Sequence, residues 1–108
     1  MRGLLLCAVA GATGAMAGMP DTTRQAALVH MVREDCGSCH GLTLRGGLGP
    51  SLLPVSLQRL TAEDVAAVIL HGRPGTPMPP FLGILDADEA HWIAHQLRQG
   101  FPQEPARP

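Results

Sequence analysis

The stretch Cys36-Gly37-Ser38-Cys39-His40 decides how the rest of this sequence is read. Two thiols three positions apart, with a histidine directly behind them, suit three chemistries: a redox dithiol, half of a zinc site, or the anchor of something larger. Each requires a different partner elsewhere in the chain, so the remaining residues can discriminate between them.

A thioredoxin-type dithiol places C-x-x-C at a helix start inside a βαβ unit, where the helix N-terminus lowers the thiol pKa. Here no stretch alternates like a strand, and a helical pattern precedes the motif. A zinc site needs about four ligands, and His91 and His95, four apart, could share a helix face to complete one. Zinc gives no reason, however, for His40 to follow Cys39 at once. C-x-x-C-H is the attachment signature of a c-type haem. Two intervening residues let one helical turn present both sulfurs to the two vinyl groups, while the adjacent histidine binds iron. The three readings lead to different tests, and the third draws support from the whole chain.

The chain has 108 residues, 45% hydrophobic and 16% charged, which fits one small domain. Its only aromatic residues are Phe81, Trp92 and Phe101, too few large rings to fill a core, so a covalently held porphyrin would itself be the centre of the fold. All eight basic residues are arginines scattered along the chain, and the net charge is −1. No basic stripe exists, which sets nucleic-acid binding aside.

Residues 1–17, MRGLLLCAVAGATGAMA, place one arginine before an apolar run that closes on Ala15-Met16-Ala17, the pattern of a secretory signal peptide. A stable membrane span needs about 20 apolar residues, and this run is shorter, glycine-rich and broken at Pro20. Export to the periplasm is therefore expected, with residues 18–108 as the mature domain. Cleavage removes Cys7 and Arg2, leaving seven arginines against nine acids, a net charge of −2, and only Cys36 and Cys39 in an oxidising compartment.

Thr22-Thr23-Arg24-Gln25 reads as a capping box opening a helix to about Asp35. From Gly41 to Leu60 no period persists, which reads as a loop over an apolar surface. Thr61-Ala62-Glu63-Asp64 opens a second helix, with Val65, Val68 and Ile69 on one face and Gly72 at its end. Four prolines in Gly72–Phe81 exclude helix interior and central strand, leaving a rigid extended loop. The last helix starts at Asp86 with Glu89 three residues on, carries Ala90, Ile93, Ala94 and Leu97 at helical spacing, and stops before Gly100. The tail from about residue 101 is expected to fray. The fold expected is all-α, three to four helices joined by long loops.

A six-coordinate haem takes a second axial ligand, commonly a methionine thioether. Met78 stands between prolines in T-P-M-P-P-F, whose stiffness would keep a weak neutral ligand in place. His71 is the rival ligand, although a histidine at a helix C-terminus also suits the helix dipole. The same structural reading covers His30, His91 and His95, while Met31 reads as helix-face core.

Leader, helix, C-G-S-C-H, a G-P loop, a short helix, M-P-P and a terminal helix together resemble a class I c-type cytochrome over essentially the whole mature chain. The resemblance implies one covalent haem c on Cys36 and Cys39, iron bound by His40 and Met78, and a hydrogen bond from His40 to the carbonyl of Pro50. It implies that the first and last helices cross beside the haem, with Ala27 as the small residue at the contact and Trp92 nearby. G-G-L-G-P-S-L-L-P and I-L-H-G-R-P-G-T-P-M-P-P-F are similar to the small NirC-like periplasmic cytochromes associated with cytochrome cd-type nitrite reductase in denitrifying bacteria.

Membership in that group would make the protein a monomeric one-electron carrier rather than an enzyme, serving nitrite reductase or the maturation of its d-type haem. Leu44, Leu48, Leu52, Leu53, Phe81, Leu82 and Ile84 would wall the ring, and Arg45, Arg59 and Arg73 could pair with haem propionates. Lysine is absent, so docking would use an apolar rim rather than a basic ring. The alternatives are an electron donor to another periplasmic oxidoreductase or terminal oxidase, and a haem enzyme with an exchangeable ligand opposite His40. Rapid binding of cyanide or carbon monoxide would mark the latter.

Overall fold

A computed structural model describes residues 18–104. The signal segment proposed for residues 1–17 lies outside the described residues, as does the end of the tail. Among the described residues there are four α-helices: α1 (Thr22–Met31), α2 (Gly37–His40), α3 (Ala62–His71) and α4 (Ala87–Gln99). A π-helical turn, Val32–Cys36, joins α1 to α2, and a 3-10 turn spans Pro54–Leu57. Among the described residues no strand forms beyond one isolated bridge between Leu82 and Leu85. No described helix is long and apolar enough to cross a membrane.

The helix starts follow from local chemistry. Thr61 accepts from Asp64 N at 3.0 Å while the Asp64 carboxylate accepts from Thr61 N at 2.9 Å. Asp86 and Glu89 make the same reciprocal pair at 2.8 and 3.0 Å. Each box satisfies two donors that a helix start leaves unpaired. The first helix departs from expectation by one residue: Asp21, not Thr22, is the cap, its carboxylate accepting from Arg24 N at 2.7 Å. A carboxylate also suits the positive end of the helix dipole better than a hydroxyl.

The expected stop near Asp35 is absent as well. The helical run passes through the π turn and carries the C-G-S-C-H motif inside it, ending at His40 where Gly41 adopts φ 90°. The π turn inserts one extra residue into the helical register, so the apolar face is not continuous at a single period from α1 into the motif.

Leu28, Leu44, Ile93 and Val32 are the largest fully buried side chains. Burying each such side chain stabilises the fold by roughly 1.5–3 kcal/mol. The most extensive close approach is between α3 and α4, two helices whose fully buried alanines are Ala66, Ala90 and Ala94. Ala27, expected as the small contact residue of the first helix, is exposed, and Leu28 beside it is the residue turned into the core. Trp92 is buried on α4 and borders a shallow cleft with Met19 and Ala62.

The first and last helices are tied near their starts by an ion pair between Arg24 Nε and the Glu89 carboxylate. The Arg24 guanidinium, and then the Asp86 backbone N–H, hold the Glu89 carboxyl below the usual carboxylate range. Residues 101–104, expected to fray, are instead strapped to the first helical run. Arg33 donates to the carbonyls of Phe101 and Pro102 at 2.8–3.2 Å, and its guanidinium lies over the Phe101 ring at 5.4 Å.

Candidate functional site

The motif helix ends with carbonyls that need donors, and the loop after it supplies them. Gly46 N donates to His40 O at 2.8 Å and Gly49 N to Cys39 O at 2.7 Å. These bonds wrap residues 41–49 back onto the helix end and deliver Pro50 beside the His40 ring. Leu44 helps hold this loop, its N–H bonded to Gly41 O and its carbonyl to Leu52 N, each at 2.8 Å. It does so with φ 62° while buried, an unusual conformation for a side chain of its size, held in place by the packing around it.

His40 Nδ1 and Pro50 O are 2.7 Å apart. Because a carbonyl only accepts, Nδ1 carries the proton and Nε2 is the basic nitrogen. Among the described residues Nε2 has no hydrogen-bond partner, so the one free lone pair of the ring is available to a metal. Gly49 completes the cradle: a Cβ there would stand 2.8 Å from both Cε1 and Nδ1 of His40. A side chain at that position would push the ring off the Pro50 carbonyl. Sequence reasoning did not single out Gly49, although its place directly before Pro50 was the available signal.

Cys36 and Cys39 are both free thiols, one helical turn apart. Cys39 is exposed, whereas burial first, and then the nearby Asp35, push the Cys36 thiol up to about 11. Among the described residues no second cysteine pair stands near these two thiols to complete a four-ligand zinc site. His91 and His95, the histidines a zinc site would need, are engaged elsewhere, with Ala87 O at 2.7 Å and with Gln99 at 2.9 Å.

Met78 sits on a separate, closed loop. Arg73 N donates to Met78 O at 3.2 Å, and the Thr76 hydroxyl accepts from Met78 N at 3.3 Å while donating to Arg73 O at 2.7 Å. Thr76 is a second residue that sequence reasoning missed; a threonine two residues before the position it braces is a common turn device. The loop returns to α3 through Phe81 N to Ile69 O at 2.9 Å and Leu82 N to Leu70 O at 3.0 Å, satisfying two carbonyls at that helix end. Gly72 is required where it stands: at φ 68°, a Cβ would meet Met78 O at 2.6 Å. Cys36, Cys39, His40 and Pro50 thus form one unit and Met78 belongs to another. No hydrogen bond joins the two among the described residues.

The seven apolar residues expected to form a wall divide. Leu44 belongs to the core, Leu52 and Phe81 pack partly against it, and Leu53 is half-buried. Leu48, Leu82 and Ile84 are exposed, Leu48 by 95%. His71, Arg45, Arg59 and Arg73 are also exposed. A protonated-Nδ1 imidazole, two free thiols on one helical turn and apolar side chains on the flanking loops fit a covalently attached haem.

A family model described as cytochrome c oxidase, cbb3-type, subunit III matches residues 20–96. Cytochrome c55X of Pseudomonas aeruginosa is 52% identical over 81 residues, 75% of this chain and 68% of that protein. The chain belongs to the class I c-type cytochromes. Its fold agrees with membership: the solved c-type cytochrome NirC superposes with a TM-score of 0.73 at 53% identity, over 75% of this chain and 95% of that one. The cytochrome is also similar to part of the dihydro-haem d1 dehydrogenase of Pseudomonas aeruginosa, 47% identical over 75 residues, 69% of this chain but only 15% of that enzyme. Haem c is the cofactor of this family, and electron carriage its activity.

Proposed function

We propose that this cytochrome is an exported, monomeric carrier of single electrons in the periplasm of a denitrifying bacterium. Its partners are proteins of the haem d1 system: the dehydrogenase that finishes that cofactor, or the cytochrome cd-type nitrite reductase that uses it. The observation that carries the reading is the 2.7 Å bond between His40 Nδ1 and Pro50 O within a C-x-x-C-H helix. It leaves Nε2 aimed by two constraints, the carbonyl and the Gly49 cradle.

Bound haem supplies a reversible one-electron Fe(III)/Fe(II) couple. Cys36 and Cys39 would hold it by thioethers, and the single C-x-x-C-H of the sequence provides for one haem. His40 would bind the iron through Nε2, the nitrogen left free by the Pro50 contact. The Pro50 carbonyl fixes the tautomer and increases electron donation from the ring. Met78 would supply a second ligand to the iron, and its loop is suited to the task because hydrogen bonds to Arg73 and Thr76 restrain it. Holding the group through both residues would suit electron transfer rather than bond-making chemistry on a partner.

The haem d1 assignment draws support from the relatives. A module like this chain is built into an enzyme that dehydrogenates dihydro-haem d1. Removing two hydrogens releases two electrons and two protons; a carrier of single electrons would take the electrons in two encounters while the protons pass to solvent. The family description, a cbb3-type oxidase subunit, supports a second reading as donor to a terminal oxidase. Stopped-flow mixing separates the two. Oxidised cytochrome should be reduced by the dehydrogenase with its substrate, or reduced cytochrome should be oxidised by cd-type nitrite reductase with nitrite. Transfer only to a cbb3-type oxidase would overturn the haem d1 assignment while leaving the carrier intact.

A further inference from the structure

We propose that His30, Glu34 and Glu104 form a binding site for one divalent transition-metal ion of the zinc class, separate from the haem-attachment motif. His30 and Glu34 are one turn apart on the first helical run, and Glu104 arrives on the C-terminal strap, 74 positions beyond His30 in sequence. One donor atom from each lies within 4.8 Å of the other two. His30 Nδ1 and Glu104 Oε1 are already 3.0 Å apart.

With zinc–ligand bonds of about 2.0–2.2 Å, donors around a tetrahedral ion stand roughly 3.4 Å from one another. The His30–Glu104 pair is close to that spacing, and Glu34, within 4.8 Å of both, reaches it with a movement of at most about 1.4 Å, within the range of a side-chain rotation. Convergence does not depend on the cluster itself. Arg33 seats the strap independently through its bonds to the Phe101 and Pro102 carbonyls, so little further ordering is needed on binding.

The donor set selects the ion. One imidazole nitrogen and two carboxylates suit zinc and its neighbours, whereas calcium and magnesium favour oxygen alone. Two carboxylates also supply negative charge, and Arg33, next to Glu34 in sequence, is directed at backbone carbonyls. Three protein ligands leave one coordination position for water. Metal binding would clip the tail to the helical run that continues into Cys36.

The test is calorimetric titration of the untagged holoprotein with zinc alone. One saturable equivalent is expected. Loss of partners outside the coordination sphere already weakens metal sites by about 10–100-fold, so His30→Ala, Glu34→Gln and Glu104→Gln should each weaken binding at least about tenfold. The double variant His91→Ala/His95→Ala should bind as the parent does. Amide exchange of residues 101–104 should slow with zinc in the parent and not in Glu104→Gln. Absence of saturable binding, undiminished affinity in His30→Ala and Glu104→Gln, or loss of binding in the α4 double variant would overturn the site.

Discussion

Replacing Gly49 with alanine perturbs His40 without substituting it. The added methyl would lie 2.8 Å from Cε1 and Nδ1 of His40, where ordinary contact begins at 3.4 Å. Gly49 does not require positive φ, so the backbone accepts alanine and the steric push is the whole effect. A ring displaced by about 0.6 Å stretches the 2.7 Å bond to Pro50 O past the usual N–H···O limit of about 3.2 Å. Such a bond is worth about 1 kcal/mol. It favours the ferric state, because a carbonyl pulling on the Nδ1 proton makes the imidazole a stronger donor. Losing it should therefore raise the reduction potential, by up to about 40 mV at 59 mV per factor of ten for one electron. Potentiometric titration followed by the visible haem bands measures the shift. An unchanged or lowered potential in Gly49→Ala would refute the claim that this contact sets the basicity of the histidine.

Met78→Ala should abolish the sulfur-to-iron charge-transfer band at the red end of the oxidised spectrum and admit carbon monoxide to the reduced protein; persistence of the band would remove Met78 as the ligand. Gly72→Ala meets Met78 O at 2.6 Å and a φ of 68°, so it should cost at least about 1 kcal/mol in thermal unfolding and weaken the same band. Glu89 titrates below the usual carboxylate range because of Arg24 and the Asp86 N–H. Its contribution is therefore full above about pH 4.3 and is lost as pH falls through the lower folded-state value. Glu89→Gln keeps a capping side chain but removes the ion pair, and should lower Tm at neutral pH by a few degrees, with the difference closing in acid.

The elements read correctly from sequence are those set by neighbours in the chain. Thr61 with Asp64, Asp86 with Glu89, and the glycines at 72 and 100 each act within four residues, so their signatures are visible in the string of letters. The Pro50 contact was legible only through family resemblance, since nothing local says that a proline ten residues on will face His40. Asp21 displaced Thr22 as cap because two adjacent residues offered equivalent oxygens, and only the chain direction before the helix decides between them. The π turn was hidden because Val32–Cys36 has no composition that distinguishes it from α-helix. The strap over α1 depends on contacts between Arg33 and residues 68–69 positions away. Such long-range bonds leave no periodic trace, which is why a tail of F-P-Q-E read as frayed.

Covalent attachment of a porphyrin to Cys36 and Cys39 is tested most directly by intact mass measured beside an absorption spectrum. Protein produced with its cytochrome maturation machinery should weigh one haem more than its mature polypeptide, keep that mass after acid–acetone extraction, and absorb in the Soret region. A mass equal to the polypeptide alone, or haem that extracts freely, would contradict it.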